Sequence, residues 1–197
     1  MPRSIIRKGK DDIAPAGGGK FIKLKDGDSV AIAPLVGLDE MISCDQHEFW
    51  DTNPAVIFPC IQTKCPGCER EDKPKFKAFL PVLTKEDGVK VFSFGIKVYR
   101  QLEDLEAELG TIKGKQLKVR RSGTGRTTSY TVVGTGKVVK VEGEEIPDII
   151  TMLGPTTRED ILKLMEQRGL DTSSSSETTP PWDEGKSEKK SDDWEDL

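Results

Sequence analysis

The stretch His47-Glu-Phe-Trp-Asp-Thr-Asn-Pro-Ala-Val-Ile-Phe-Pro-Cys60-Ile-Gln-Thr-Lys-Cys65-Pro-Gly-Cys68 contains the one histidine and three of the four cysteines of this 197-residue chain. Zn²⁺ prefers thiolate and imidazole ligands, and a Cys-Pro-Gly-Cys turn lets two sulfur atoms converge on one ion. Four protein ligands leave no position open for a reactive water molecule. The spacing therefore predicts one structural Zn²⁺ bound by His47, Cys60, Cys65 and Cys68.

Three other interpretations of these residues stay open. Cys65 and Cys68 also suit a redox dithiol, but such pairs begin a helix in a βαβ unit, and Pro66-Gly67 is typical of a loop. Disulfides are a second alternative, although nothing in the sequence marks an exported chain. The third concerns the ligand set, because Cys44 can replace the histidine or Cys60.

The enzyme class that comes nearest to this pattern is the zinc-dependent nucleobase deaminases. Those enzymes place a glutamate two residues after the histidine and a proline directly before the Cys-x-x-Cys pair. Here Glu48 follows the histidine directly, and Phe49 and Lys64 occupy the two diagnostic positions. The sequence also offers no paired catalytic carboxylates and no Ser-His arrangement. We therefore expect a binding protein and not an enzyme.

Composition and charge predict a cytosolic protein with two differently charged parts. Hydrophobic residues make up 35% and charged residues 32% of the chain, and no apolar run is long enough for a membrane span or an export signal. Residues 171–197 carry nine acidic and three basic side chains, whereas residues 113–137 carry seven basic side chains and no acidic one. A basic strip combined with an acidic tail favours a polyanion-binding body with a separate interaction arm.

The order of predicted elements favours a mainly β chain with an OB-fold, a five-stranded barrel with a helix between strands 3 and 4. Residue patterns predict strands at 21–25 and 29–36, a hairpin of 76–83 and 89–94, a helix at 96–109, and strands at 115–121 and 127–133. The helix should end at Gly110. Its expected apolar stripe consists of Ile96, Tyr99, Leu102, Leu105 and Leu109.

Two further features follow from the same patterns. In the strand at 115–121, Leu117 and Val119 alternate with Lys118 and Arg120, so one face should be apolar and the other cationic. A strand-like run at 137–141 precedes a short helix, which Thr156 and Glu159 should cap and Gly169 should end.

The chain thus divides into four predicted segments. These are a flexible basic N-terminal arm, 1–19; an OB-fold core, 20–141, with a zinc-binding insertion at about 40–75; a C-terminal extension with a short helix, 142–170; and a disordered acidic tail, 171–197.

This arrangement resembles the single-stranded DNA-binding proteins of T-even-like bacteriophages. The likeness rests on a lone histidine, twelve residues, a cysteine and a Cys-x-x-Cys, inserted after the opening strand of an OB-like pattern and followed by an acidic tail. It covers residues 20–137 and the tail, with a shorter Cys60–Cys65 spacing than in the best-known member of the family. The resemblance implies a helix-destabilising protein that coats displaced strands in replication, recombination and repair, in the cytoplasm of an infected bacterium. Self-association on DNA stays open, because the basic arm lacks a clear copy of the family's cooperative-binding cluster.

Sequence-independent binding of single strands needs cations for phosphates and aromatic faces for base stacking. The aromatic candidates are Trp50, Phe79, Phe92, Phe94 and Tyr130. The cationic candidates are Lys75, Lys77, Lys90, Arg100, Lys118, Arg120, Arg121 and Arg126. An aromatic residue on a strand is also a typical core residue, and a single lysine is often only solvated, so both alternatives stay open.

The acidic tip of the tail is the predicted binding site for replication and recombination proteins. It consists of Asp192, Asp193, Trp194, Glu195, Asp196 and Leu197. Acidic groups, one ring and a terminal carboxylate suit a basic pocket with an apolar floor, although a purely solubilising tail is the alternative. A second function class also fits the sequence, namely a zinc-ribbon interaction or regulatory factor that binds polymerase.

Overall fold

A computed structural model of the protein describes residues 20–170. The predicted arm 1–19, the tail 171–197 and the acidic tip within it lie outside these residues. Seven strands and four helices follow one another in chain order: β1 Ser29–Pro34, β2 Ile42–Phe49, β3 Val56–Pro59, α1 Pro66–Glu69, β4 Lys75–Thr84, β5 Gly88–Phe94, α2 Ile96–Leu109, β6 Lys115–Ser122, β7 Ser129–Val138, α3 Ile149–Met152 and α4 Arg158–Gln167.

The strands form one antiparallel sheet in the order β3-β2-β4-β1-β6-β7, with β5 paired to β4. On one edge of β4, residues 75–79 pair with β2 and residues 82–84 pair with β1. The other edge pairs with β5 as the predicted hairpin, closed by Gly88 at φ +68°. β4 therefore connects the metal-ligand hairpin β2–β3 to the remainder of the sheet.

The sheet is open, and the predicted barrel is not closed. The barrel would consist of the five strands β5-β4-β1-β6-β7, and its closure requires β5 to pair with β7. No such pairing occurs within residues 20–170. On β5, the main chain of Val91 is already occupied, since its N–H donates to Lys20 O (2.7 Å) and its carbonyl accepts from Ile22 N (3.0 Å). The strand predicted at 21–25 is only this contact, a parallel bridge between Phe21 and Val91.

The edge of β7 is occupied by a side chain. The carboxamide of Gln101 in α2 donates to Tyr130 O (3.1 Å) and accepts from Val132 N (2.9 Å). Two backbone groups that closure would use are therefore already satisfied. β7 contains most of the run predicted at 127–133 but only the first two residues of the run predicted at 137–141, so the second predicted strand is not a separate one.

The main core lies between the sheet and α2. Val98 and Leu102 of the helix are buried, whereas Ile96 and Leu109 of the predicted stripe are 45% and 37% exposed. The buried stripe is thus turned toward Val98 relative to the prediction. The helix ends as predicted, because Gly110 adopts the left-handed conformation at φ +75°.

The C-terminal extension contains two helices and not the one predicted. In α3, Ile149 packs with Leu153 on the outer face of the sheet. In α4, the N-cap is Thr157 and not Thr156, because the Thr157 hydroxyl accepts from Asp160 N at 3.2 Å. No helix within residues 20–170 has both the length and the apolar character to cross a membrane.

Candidate metal centre and nucleic-acid interface

The β2–β3 hairpin buries the histidine. His47 pairs with Phe58 across the hairpin, their rings lie 5.5 Å apart, and the His47 side chain is fully buried. Because strand residues alternate between faces, Phe49 shares this side of β2 and stacks on the same phenylalanine, whereas Glu48 projects from the other side. Packing within the hairpin therefore holds the imidazole in place without a metal ion.

The three cysteines follow within a few residues. Cys60 comes directly after β3, Cys65 is the N-cap of α1, and Cys68 lies inside that helix. The Cys-Pro-Gly-Cys segment is therefore a one-turn helix and not the predicted loop; Pro66 suits its first position, where the N–H has no helical partner. The strands before and after it, β3 and β4, both pair antiparallel with β2, so it does not lie in the βαβ unit that a redox dithiol would need.

The four predicted ligands form one cluster that can hold a metal ion. Their donor atoms lie within 4.8 Å of one another. Cys68 Sγ is 3.6 Å from Cys60 Sγ and 3.5 Å from His47 Nε2. The cysteines are free thiols, and 3.6 Å is far beyond a sulfur–sulfur bond of about 2.05 Å.

Cys44 lies outside the cluster. Its side chain packs against the hydrophobic group of Phe79 and Ile149. Burial, followed by the nearby carboxylate of Asp45, raises the pKa of the Cys44 thiol to about 11. It is therefore a protonated, poorly reactive thiol.

Asp72 orients the histidine, and sequence reasoning missed it. Its Oδ2 lies 2.8 Å from His47 Nδ1. A proton on Nδ1 directed at the carboxylate leaves the Nε2 lone pair facing Cys68, which is the tautomer that a metal ligand requires. An acid four residues after a Cys-x-x-Cys is too common to signal this contact in the sequence alone.

Gly67 provides the space for the imidazole ring. A Cβ at this position would lie 2.4 Å from Cγ and 2.6 Å from Cδ2 of His47. Real Cβ atoms do not approach other atoms so closely, and the ring is held by Phe58 and Asp72. Glycine is required here by this close approach.

The thiols must lose protons before they bind a cation. Burial and then the neighbouring Cys60 raise the pKa of Cys68 to about 12, and burial is also the main cause that raises the pKa of Cys60. Thiolate is the ligand form, so ion binding releases these protons.

Helix α4 covers the metal cluster from the far end of the described chain. Ile161, Met165 and Leu170 pack with the buried hairpin residues and with Cys65. Arg158 makes two parallel hydrogen bonds to the Glu69 carboxylate, at 2.8 and 2.9 Å, and also donates to the carbonyl of Lys64. The α4 part of the predicted extension thus belongs to the metal subdomain, which comprises β2, β3, α1 and α4.

On the opposite side of β2, three predicted DNA contacts come together. The indole of Trp50 is 66% exposed, and Lys75 and Lys77 of β4 lie beside it through the shared carboxylate of Glu48. Desolvation of Glu48 is outweighed by the hydrogen bond and charge of Lys77, so the pKa of Glu48 is lowered. This group is an exposed aromatic face with adjacent ammonium groups.

The other predicted aromatic contacts are placed mainly in the interior. Phe79, Phe92 and Phe94 are only 2–3% exposed, and Phe79 is covered by Phe21 and α3. Tyr130 is half-buried with its ring against the edge of Phe92 at 6.0 Å. In this conformation the three phenylalanines have no face on which a base can stack.

The predicted cations occupy several different environments. Lys118 and Arg120 are exposed on the outer face of β6, opposite Ala31 and Ser29 of β1, as the alternation predicted.

The remaining predicted cations lie on other elements or support the fold. Arg100 is exposed on α2, and Lys90 is half-buried on β5. Arg121 instead supports the fold, since its guanidinium donates to the Leu24 carbonyl and to Thr128. The side chain of Arg126 lies outside the described part of the chain.

Comparison with known proteins found no matching protein-family model, curated protein or solved structure.

Proposed function

We propose that the protein binds single-stranded DNA without sequence preference and coats it during phage replication, recombination and repair. The observation that carries this proposal is the exposed Trp50 indole beside Lys75 and Lys77. A base can stack on the indole while neighbouring phosphates meet the ammonium groups, and neither contact depends on base identity.

Lys118 and Arg120 supply a second cationic group for the same strand. Lys75 and Lys77 lie at one end of β4, and at its other end, Thr84, β4 pairs with β1, which in turn pairs with β6. The two cationic groups are therefore separated by about the length of β4, which is about 30 Å at 3.4 Å per residue. The small side chains of Ser29 and Ala31 opposite them leave room for a backbone to approach.

Zn²⁺ is the ion that the cluster suits best in this proposal. Three thiols and one imidazole form a common closed zinc set. Donors placed about 2.0–2.3 Å from one ion at tetrahedral corners lie about 3.5–3.8 Å apart. The separations of 3.6 Å between Cys68 and Cys60 and 3.5 Å between Cys68 and His47 agree with that spacing. The ion would hold the hairpin, α1 and α4 together and would leave no open position for catalysis.

An OB-fold remains the proposed ancestry of the sheet. β1, the β4–β5 hairpin, α2 and the β6–β7 pair occur in the order of that fold, with the helix between its third and fourth strands. The hairpin β2–β3 then corresponds to the zinc-binding insertion. The acidic tip, residues 192–197, completes the proposal as the arm that recruits replication and recombination proteins.

Fluorescence of Trp50 tests DNA binding directly. In full-length protein carrying Trp182→Phe and Trp194→Phe, Trp50 is the only tryptophan, so quenching by oligo(dT) reports stacking at this position. The Trp50 variants have no tryptophan, so their affinity is measured with labelled oligo(dT). We expect Trp50→Ala to weaken binding by about 1–3 kcal/mol per lost stack, and Trp50→Phe to restore part of it. Ile146→Ala, which truncates another exposed apolar side chain, is the matched control.

Salt titration separates this function from the alternative. Affinity for single strands should exceed affinity for duplex and should fall as salt rises, by a slope of about 0.7 per phosphate contact. Equal affinity for both forms, or binding that salt does not change, would favour the zinc-ribbon interaction factor instead.

A further inference from the structure

Glu48 occupies an anion position among the donors of the proposed DNA surface. Its side chain is only 8% exposed. One carboxylate oxygen lies 2.8 Å from Lys77 Nζ, and the other lies 3.5 Å from Lys75 Nζ and 3.4 Å from Trp50 Nε1. Two ammonium groups and an indole N–H are also the donors that a phosphate oxygen would use.

Strand geometry separates this carboxylate from the metal cluster. On β2, Cys44 pairs with Lys77 and Gln46 pairs with Lys75, and Glu48 continues that face of the strand. His47 projects from the other face toward Phe58. Glu48 is therefore directed to the lysines and is not a metal ligand.

We propose that Glu48 is an internal competitor of DNA phosphate. In the free protein it holds Lys75 and Lys77, and a phosphate of the bound strand replaces it as their partner. One carboxylate against two ammonium groups leaves a net charge of +1 at the cluster, so phosphate is still attracted, but less strongly than by two unpaired lysines. This inference rests on the proposed function, and it makes Glu48 a residue that limits affinity so that the coat can be displaced.

Charge-neutral and charge-preserving variants distinguish competition from a general charge effect. Glu48→Gln removes the charge and keeps an acceptor for Trp50. Asp51→Asn, at an exposed neighbouring position, changes net charge equally and is the control. Glu48→Asp keeps the charge but withdraws the carboxylate by one methylene from Lys77. All are made in the full-length, single-tryptophan protein and measured with labelled oligo(dT), after thermal melting has confirmed folding.

At low salt we expect Glu48→Gln to bind about three- to fivefold more tightly than Asp51→Asn, the size of one ion pair of up to about 1 kcal/mol. Its salt slope should increase by up to about 0.7 per released lysine. Glu48→Asp should also bind more tightly than the unaltered protein, at unchanged net charge, which keeps the test valid if Glu48→Gln does not fold.

Two results would overturn the inference while leaving the function intact. One is equal affinity of Glu48→Gln and Asp51→Asn at every salt concentration. The other is weaker binding of both Glu48 variants than of unaltered protein, which would make Glu48 a positioning residue for the indole. Failure of the unaltered protein to bind single strands would instead reject the proposed function, and the competitor role with it.

Discussion

At the scale of single residues, Gly67 has no room for a side chain, because a Cβ there would lie 2.4 Å from Cγ of His47. We expect Gly67→Ala to displace the imidazole, to destabilise the fold by about 1–3 kcal/mol as overpacking does, and to weaken metal binding. Thermal melting and metal analysis measure both effects. Gly134→Ala is the control, because its Cβ would meet Leu105 and Leu109 at an ordinary 3.8 Å. Normal metal content in Gly67→Ala would show that the ring has room to move.

The contact between Asp72 and His47 leads to a second prediction. Asp72→Asn keeps the shape of the side chain but loses the charge that favours the Nδ1 proton, so metal affinity should fall about 10- to 100-fold. Competition with a chromogenic chelator measures this change. Glu71→Gln, at the neighbouring exposed acid, should leave affinity unchanged. If the two variants retain the ion equally well, the hydrogen bond to Asp72 does not orient the ligand.

Residue chemistry made the metal cluster predictable, because few residue types bind transition metals and the four predicted ligands all lie in the short segment from His47 to Cys68. It could not identify Asp72 or Glu48, whose roles depend on which strands become neighbours. The same limit applies to Phe79, Phe92 and Phe94. Alternation distinguishes two faces of a strand, but here α3 packs on the outer face at Phe79, and α2 packs on the inner face where Phe92 and Phe94 lie.

At the scale of elements, α4 and the metal cluster should form one cooperative unit. Cys65 is both a proposed ligand and a core contact of Ile161 and Met165, so chelation should release α4. Hydrogen exchange should then show loss of amide protection in Arg158–Gln167, while Ile96–Leu109 of α2 stays protected as an internal reference. Unchanged protection of α4 after metal removal would mean that its apolar contacts suffice.

The boundaries of helices and strands were predicted correctly where a local residue signal determines them. Gly110 ended α2 and Gly88 closed the β4–β5 hairpin, because both need positive φ. Adjacent threonines left the cap of α4 ambiguous, and the hydroxyl of Thr157 was the one that reached Asp160. β2 was not predicted, because its sequence, Ile42–Phe49, lacks a regular apolar alternation. Its pairing with both β3 and β4 makes it a strand.

At the scale of the whole molecule, the buried apolar residues form three separate hydrophobic groups, and we therefore expect the protein to unfold in steps. One lies between the sheet and α2, one surrounds the metal cluster, and a smaller one joins α3 to the outer face. Calorimetry with chelator should therefore resolve an early transition of the metal subdomain. Zinc at 100 times its dissociation constant should stabilise that transition by about 2.7 kcal/mol. One transition at the same temperature with and without metal would contradict this division.

The overall topology was predictable only in part. β2 and β3 were not predicted, whereas the order of β1, the β4–β5 hairpin, α2 and the β6–β7 pair followed from periodicity. The open edge did not, because it depends on Lys20 and Ile22 reaching Val91, and on Gln101 reaching β7. Contacts between distant positions leave no local pattern in a sequence.

The pairing of β1 has a consequence for the timing of folding during synthesis. Its residue Ser29 pairs with Arg120, whereas the four ligands lie close together in the chain. A ribosome exposes the complete ligand set long before β6 exists, and short loops close at lower entropic cost than long ones. We expect thiol protection at Cys65 to precede amide protection in β1 during refolding with zinc; simultaneous protection would contradict this order. The nascent chain would then bind its metal ion before β6 is available to pair with β1.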